Sequence, residues 1–204
     1  MLHILWSEHI SIHENFVDAD LLQELQKECE HQIATIAPAG DTYSLINQNI
    51  TDHTSLIMSR LFPMVEAAAL EHCMQVDVDW DNLEYTNCQV AWLNRFDEHI
   101  SRDAFHEPHH DMAENVFINT ILYVNSEYEQ SDQWVGGELI LYKDLSCGQF
   151  PKNTVRIKPL LNRLIVFSAF NIHRVNPYFG HTPRTAIINC WGLRDLKCYP
   201  NRIL

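Results

Sequence analysis

The chain has 204 residues, of which 46% are hydrophobic, and it carries a formal net charge of −13 at pH 7. This length buries one good core and is too short for two comfortable ones, so we expect a single domain over residues 1–204. An acidic chain without a cluster of lysines and arginines repels phosphate backbones, which excludes nucleic acid as an expected partner.

The amino-terminal segment and the cysteines favour a cytoplasmic protein. Residues 1–16 contain three histidines in place of an uninterrupted apolar stretch, so no signal peptide is predicted. The six cysteines form no C-x-x-C pair, which favours free thiols in a reducing compartment. No run of about eighteen apolar residues is present, so we expect no membrane span.

Residues 1–82 are predicted to be mainly helical. Apolar residues recur at helical spacing between Asp20 and Ile36, which predicts an amphipathic helix that ends before Pro38. Asp20 and Gln23 stand in the positions of a capping box at its start.

A second helical stretch extends from about Thr54 to Met74 and contains Pro63. Because proline lacks an N–H group and its ring collides with the preceding turn, it breaks a continuous helix. We therefore predict two short helices here, the second starting near Pro63.

Residues 83–204 have the composition of a β-rich core. Short runs of β-branched and aromatic residues, separated by Gly, Pro, Asn and Asp, are typical of strands. The predicted strands are Leu83–Phe96, Val116–Val124, Glu138–Tyr142, Val155–Ile157, Leu164–Phe167 and Arg184–Trp191. Helices followed by strands indicate an α+β chain in which a sandwich or jelly roll carries the helices on one outer face.

Two histidines and an aspartate are candidate metal ligands: His109, Asp111 and, far downstream, His173. Two imidazoles and one carboxylate offer three ligands to a divalent iron and leave other coordination positions open. Residues i and i+2 of an extended segment point the same way, so His109 and Asp111 can share one ion. His106, with Glu107, is the competing pair, but adjacent strand residues diverge.

The chemistry-bearing residues follow one another in a characteristic order. After Asp111 come a strand-like run ending at 121–125, a Gly136-Gly137 turn, the run 162–167, His173 and Arg184. This order resembles the prolyl 4-hydroxylase-like branch of the iron(II)/2-oxoglutarate-dependent dioxygenases, over roughly residues 83–193.

The resemblance implies a double-stranded β-helix, a relative of the jelly roll, and it assigns roles to five residues. His109, Asp111 and His173 would bind Fe(II). Arg184 would form a salt bridge to the distal carboxylate of 2-oxoglutarate, and Tyr123 would be a second donor to it. Fe(II), 2-oxoglutarate as co-substrate and dioxygen are the implied cofactors, and ascorbate is compatible with them. Because related halogenases lack the aspartate, hydroxylation is expected, with release of succinate and carbon dioxide.

Each residue also has a plainer interpretation. A lone His173 is more often a core or surface histidine, and Tyr123 alone is more often a core aromatic. Arg184 alone would be a solvated strand residue, although its planar fork suits a carboxylate. Trp134 and Arg95 are equally compatible with a substrate contact and with a structural place.

One departure from the family pattern affects the co-substrate site. Family members often carry a small hydroxyl residue two positions after the basic residue, where this chain has Ala186, with Thr185 adjacent. Contacts to the co-substrate are therefore expected to differ in detail.

Three functions remain open at the level of sequence. The first is hydroxylation of a prolyl or other residue in a peptide or protein, the second is the same chemistry on a free amino acid or small metabolite, and the third is a non-catalytic metal-binding jelly roll. A zinc hydrolase is disfavoured because no His-Glu-x-x-His helix is present. Loops at 95–105, 125–135 and 176–183 are expected to select the substrate, and the oligomeric state is not predicted.

Overall fold

The computed structural model describes residues 9–36, 45–50, 52, 54–76, 83–93, 108–111, 116–126, 136–142, 154–179 and 183–193. The helical elements are α1 (Ala19–Ile36), one π-helical turn (Ile57–Leu61) and α2 (Phe62–Gln75). The strands are β1 (Ile10–His13), β2 (Leu45–Asn49), β3 (Leu83–Leu93), β4 (Val116–Asn125), β5 (Leu139–Tyr142), β6 (Thr154–Ile157), β7 (Leu164–Ser168), β8 (His173–Val175) and β9 (Arg184–Leu193).

The strands form two antiparallel sheets that enclose a core. The major sheet has six strands in the order β1-β7-β4-β9-β3-β2, and the minor sheet has three in the order β6-β5-β8. An isolated bridge joins His109 to His173 on β8. From β4 to β9 the chain crosses between the two sheets four times, in keeping with the double-stranded β-helix that the family resemblance implies.

Side chains of the major sheet alternate between two cores. The outer core lies between the major sheet and the helices, and it includes Leu25, Val65, Leu122, Val166 and Trp191. The inner core lies between the two sheets, and it includes Ile121, Tyr123, Leu139, Leu141 and Phe167. The helices therefore pack on one outer face, as predicted, and the inner core is left for a site.

The start of α1 differs from the prediction. Helix α1 begins at Ala19, and the Oδ1 atom of Asp18 accepts a hydrogen bond from the backbone N–H of Leu21 at 2.8 Å. Asp18 is therefore the capping residue. The predicted capping box at Asp20 and Gln23 is wrong, because Asp20 lies within the first turn, where its charge still favours the helix dipole.

Asn162 connects the start of α1 to the sheet. Its side chain accepts a hydrogen bond from the Val17 N–H at 3.0 Å and donates one to the Val17 carbonyl at 2.7 Å. Its backbone N–H donates to the carbonyl of Tyr123 at 2.8 Å. One buried amide thus fixes the amino-terminal segment against the end of β4.

Helix α2 begins at Phe62, beside Pro63, as predicted, but the element before it is a single π-helical turn that continues into α2 rather than a separate short helix. The residues on either side of the junction, Leu61 and Phe62, both have right-handed helical backbone angles. The turn before the proline is widened into a π-helical turn, in which Phe62 N–H bonds to the carbonyl of Ile57. A widened turn accommodates the missing donor and the bulk of the proline ring.

The six predicted strands are present, and three more extend the sheets. β1 pairs with β7, with Ile10 opposite Phe167, and β2 pairs with β3. Both lie within residues 1–82, so the part predicted to be mainly helical also contributes two strands to the major sheet. β8 has three residues, and it is the strand that carries His173.

The described cysteines are free thiols, and most of them are buried. Neither described helix is long and apolar enough to cross a membrane. The described cysteines, Cys29, Cys73, Cys88 and Cys190, form no disulfide. Burial raises the pKa of Cys73 and of Cys88 to about 12, so these thiols stay protonated and unreactive at neutral pH.

Candidate metal and co-substrate site

His109, Asp111 and His173, here called the metal cluster, converge at one end of the inner core. His109 Nε2 lies 3.6 Å from Asp111 Oδ1, and His173 Nε2 lies 3.5 Å from Asp111 Oδ2. One ligand atom from each residue lies within 4.8 Å of the other two, a combination found at no other place in the described part of the chain. This spacing suits a single ion held by three donors.

Backbone hydrogen bonds hold the metal cluster together. His109 N–H donates to the carbonyl of His173 at 3.0 Å, and His173 N–H donates to the carbonyl of His109 at 2.8 Å. Asp111 N–H donates to the carbonyl of Ala169 at 3.2 Å. The segment 108–111 is therefore fixed against β8 and the turn before it. The competing pair His106 and Glu107 lies outside the described residues.

His173 is arranged as a neutral ligand. Its Nδ1 atom lies 3.0 Å from the carbonyl oxygen of Asn171. A carbonyl only accepts, so Nδ1 carries the proton and the lone pair of Nε2 faces Asp111. Burial lowers the pKa of His173, which favours the uncharged imidazole that a metal requires.

Asn119 supports the aspartate of the metal cluster. It lies on β4, is 2% exposed, and donates a hydrogen bond from Nδ2 to Asp111 Oδ2. Reasoning from sequence missed this residue. A signal was present, because Asn119 is a polar residue at an inward-facing position of the largely apolar run 116–124.

Arg184 occupies the inner core where β9 begins. It is 3% exposed, and its Nη2 atom donates to the hydroxyl of Tyr123 at 3.1 Å. Its guanidinium carbon lies 4.7 Å from the centre of the Tyr123 ring. Among the described residues no carboxylate pairs with Arg184, and its Nε has no hydrogen-bond partner. A buried cation without a counter-charge is unfavourable, so this place suits an anion from outside the chain.

Gly137 provides the space for this arginine. A Cβ atom there would lie 2.7 Å from Arg184 Cδ and 2.9 Å from Tyr178 Cδ2. Its φ of +78° is also a conformation that favours glycine. The sequence indicated only a turn at Gly136-Gly137. We call Arg184, Tyr123, Gly137 and Tyr178 the arginine pocket.

The departure at Ala186 is visible in the structure. Ala186 is buried and stands opposite Tyr123 in the register of β4 and β9, while Thr185 alternates to the other face of the sheet. Tyr123 therefore supplies the hydroxyl beside Arg184. Trp191 packs in the outer core, 5.1 Å from Phe62 between ring centroids, and not at the site.

The other predicted substrate contacts cannot be placed. Arg95 and Trp134 lie outside the described residues, as do loop residues 95–105, 127–135 and 180–182.

The metal cluster and the arginine pocket share one face of β4. Asn119 contacts the first and Tyr123 the second, four residues apart and therefore roughly 13 Å along the strand. The donor set of the metal cluster fits Fe(II), and the unpaired Arg184 fits a carboxylate. Long side chains and a five-carbon dicarboxylate are sufficient to bridge the space between them.

Comparisons with known proteins agree with this geometry. The family model of the 2OG-Fe(II) oxygenase superfamily matches residues 91–192, which is half of the chain. A comparison with curated proteins finds no match.

Solved structures share the fold over nearly the whole chain. A Pseudomonas putida prolyl-4-hydroxylase is 22% identical, with a TM-score of 0.62 over 91% of this chain and 92% of that one. A Trichoplax adhaerens prolyl hydroxylase is 17% identical, with a TM-score of 0.66 over 94% and 87%. The epimerase SnoN from nogalamycin biosynthesis is 13% identical, with a TM-score of 0.61 over 90% and 78%. The chain belongs to the 2OG-Fe(II) oxygenase superfamily and is an iron(II)- and 2-oxoglutarate-dependent dioxygenase.

Proposed function

We propose that this dioxygenase hydroxylates a C–H bond of a prolyl or other residue within a peptide or protein. In this proposal His109, Asp111 and His173 hold Fe(II), and Arg184 and Tyr123 hold the distal carboxylate of 2-oxoglutarate. The observation that carries the assignment is the buried guanidinium of Arg184, which faces the inner core without a carboxylate of its own among the described residues.

The two ends of the site differ in access to solvent. The side chain of His109 is 39% exposed and that of Asp111 is 25% exposed, whereas Arg184 is 3% exposed. This difference suits a small co-substrate that is enclosed at the arginine pocket. It also suits a larger substrate that approaches the metal cluster from solvent. One residue of a polypeptide is able to reach the metal cluster while the rest of its chain stays outside.

The chain itself supplies binding, orientation and exclusion of water. Bound iron and 2-oxoglutarate supply the oxidation, in which 2-oxoglutarate is converted to succinate and carbon dioxide while the substrate gains a hydroxyl oxygen from dioxygen. Asn171 fixes the proton of His173 on Nδ1. Apolar neighbours in the inner core, among them Ile121 and Phe167, keep water from the arginine pocket.

A peptide substrate is supported by the neighbours in structure. One is named a prolyl-4-hydroxylase, and another was solved with a peptide fragment of the hypoxia inducible factor oxygen degradation domain. A free amino acid or small metabolite is the second candidate, supported by the comparable likeness to SnoN, which was also solved with nogalamycin RO. We further propose that the enzyme is cytoplasmic, has a single domain and does not bind nucleic acid, and that ascorbate is compatible with its reaction as a reductant.

The cofactor assignment is tested by anaerobic titration of the protein with Fe(II) and then 2-oxoglutarate. The visible charge-transfer band of the chelate is expected in the wild type and absent in His173→Ala. Arg184→Ala is expected to need at least about tenfold more 2-oxoglutarate, because a charge-assisted bidentate contact is lost.

Arg163→Ala is the matched control for Arg184→Ala. The Nε atom of Arg163 donates to both carboxylate oxygens of Glu14 at 3.0 Å, so this arginine has an anion within the chain. Its removal should leave the 2-oxoglutarate affinity unchanged. No band in the wild type would contradict the proposed site and favour a non-catalytic metal-binding jelly roll.

The substrate class is tested by measuring succinate release with proline-containing peptides and with free amino acids, followed by a mass search for the gain of one oxygen. A peptide that gains one oxygen supports the first candidate. Modification of free amino acids alone would replace it with the second.

A further inference from the structure

We propose that Asn119 is a positioning residue that holds Asp111 as a one-oxygen ligand, so that a coordination position stays open for 2-oxoglutarate. The inference rests on the proposed ligand set and adds to it a residue that contacts neither 2-oxoglutarate nor iron. Asn119 is 2% exposed and donates from Nδ2 to Asp111 Oδ2.

The direction of the Asn119 amide follows from its partner. An ionised carboxylate only accepts hydrogen bonds, so the NH₂ end of the amide faces Asp111. The Oδ1 atom of Asn119 is buried and has no hydrogen-bond partner. The contact with Asp111 is therefore what sets the amide orientation.

A structural role alone does not account for an asparagine here. Ile121 and Tyr123, the next inward-facing residues of β4, belong to the apolar inner core. A buried acceptor without a partner is unfavourable, and an apolar residue at 119 would avoid it. The amide is therefore explained by its NH₂ group, which donates a hydrogen bond to Asp111.

The hydrogen bond from Asn119 distinguishes the two carboxylate oxygens of Asp111. Oδ1 lies 3.6 Å from His109 Nε2, whereas Oδ2, which lies 3.5 Å from His173 Nε2, accepts the hydrogen bond from Asn119. A carboxylate binds a metal through one oxygen or through both. Engaging Oδ2 with an N–H donor favours binding through Oδ1 alone.

The number of open positions makes this choice matter. If His109, Asp111 and His173 hold Fe(II) through one atom each, other coordination positions would stay open for 2-oxoglutarate and dioxygen. If Asp111 chelated with both oxygens, it would compete with 2-oxoglutarate for one of these positions. Asn119 therefore acts on co-substrate binding through Asp111.

The test compares Asn119→Leu, which keeps the shape and removes the donor, with Asn189→Leu. Asn189 is a matched control, because it is 1% exposed on the adjacent strand β9 and lies on the opposite face of the sheet. The readouts are the Fe(II) dissociation constant, the 2-oxoglutarate dissociation constant from the anaerobic charge-transfer band, and the thermal midpoint.

For Asn119→Leu we expect the 2-oxoglutarate dissociation constant to rise about tenfold, which is typical of losing a hydrogen bond to a ligand. The Fe(II) dissociation constant should stay within about threefold, a smaller change than the loss of a partner of a metal ligand usually causes, because a second bound carboxylate oxygen offsets the lost orientation. Asn189→Leu should change neither constant.

Three results would overturn the inference. The first is an unchanged 2-oxoglutarate dissociation constant in Asn119→Leu. The second is an equal loss of Fe(II) and 2-oxoglutarate affinity, which indicates general damage to the site. The same criteria apply to Asn119→Ser, whose hydroxyl is too short to reach Asp111 and which replaces Asn119→Leu if that variant does not fold. The third is a wild type without any band, which contradicts the proposed function itself, whereas a wild-type band with an unaffected variant contradicts only this inference.

Discussion

Among the described residues, the histidines of the metal cluster contact a carboxylate, whereas a second group of histidines contacts a hydroxyl. In the metal cluster, the imidazoles of His109 and His173 flank Asp111. In the second group, which we call the β1–α2 histidine cluster, His9 and His72 pack 5.3 Å apart between ring centroids around the hydroxyl of Ser11. Ser11 Oγ lies 2.9 Å from His72 Nδ1 and 3.3 Å from His9 Nε2.

The comparison shows how a neighbouring carboxylate changes the environment of a buried imidazole. Burial, together with smaller effects of His9 and His13, lowers the pKa of His72 to about 4. The Ser11 hydroxyl and the His9 ring contact His72, and neither supplies a negative charge that would stabilise a proton on His72. Similar side chains thus give a metal-binding cluster in one place and neutral packing in the other.

The largest effect is expected when the metal cluster loses its carboxylate and becomes like the second group. Asp111→Asn replaces the charged donor by an amide, and Fe(II) affinity should fall by at least about 100-fold. Competition with a coloured chelator under anaerobic conditions measures it. Asp18→Asn is the control, because asparagine caps a helix as well as aspartate does. Retained Fe(II) affinity in Asp111→Asn would contradict the ligand assignment.

An effect of similar size, confined to acid pH, is expected on stability. The pKa of His72 is about 4 in the folded chain and 6.5 in a free histidine, so the unfolded chain binds this proton more readily. The contribution is fully present above pH 6.5 and is lost as the pH falls through about 4. At 1.36 kcal/mol for each pKa unit, the free energy of unfolding should fall by about 3 kcal/mol over this range because of His72.

Urea denaturation at several pH values, for the wild type and His72→Leu, measures this contribution. The variant should lose less stability than the wild type between neutral and acid pH. His31→Leu, at an exposed position of α1, is the control and should follow the wild type. Parallel curves for the wild type and His72→Leu would show that His72 does not contribute.

Giving the second group a carboxylate should move it towards the first. In Ser11→Asp the new side chain faces His72 and His9, and an opposite charge at that distance should raise the pKa of His72 by about one unit or more. Titration of the His72 ring followed by NMR measures the change. A pKa that stays at the wild-type value would contradict the argument that the missing carboxylate separates the two groups.

The smallest effect is expected for Ser11→Ala, which removes only the hydroxyl. The loss of its hydrogen bond to His72 should lower the free energy of unfolding by about 1 kcal/mol at neutral pH. Thermal or urea unfolding measures it, and Fe(II) affinity should not change. A change in Fe(II) affinity would show that the two groups are coupled.

Much of the fold and the arrangement of the site followed from the sequence, for physical reasons. Buried strands such as β4 and β7 carry continuous β-branched and aromatic runs, which few other structures use. His109 and Asp111 were predicted to share one ion because side chains two residues apart in an extended chain point the same way. The order of motifs then indicated His173, Arg184 and Tyr123. In the structure His173 lies beside His109 and Asp111, and Arg184 lies beside Tyr123.

The features that the sequence did not reveal depend on tertiary contacts. β1 and β2 are short edge strands with polar residues, and they form only because β7 and β3 offer unpaired edges. The cap at Asp18 was missed because Asp20 offered an equivalent signal two residues later. The space needed by Arg184 at Gly137 is a distance across the core, which no local pattern reports.

The position of β9 has a consequence for the order of folding. It is the last described strand along the chain, yet it lies at the centre of the major sheet and pairs with both β3 and β4. Until residues 184–193 have been synthesised, the inner edges of both partners are unpaired, and pairing with β3 must then close a loop of about a hundred residues. A nascent or truncated chain is therefore exposed to edge-to-edge aggregation. The residue that we propose to hold the co-substrate, Arg184, is brought in by the same late strand, so sheet closure and completion of the site coincide.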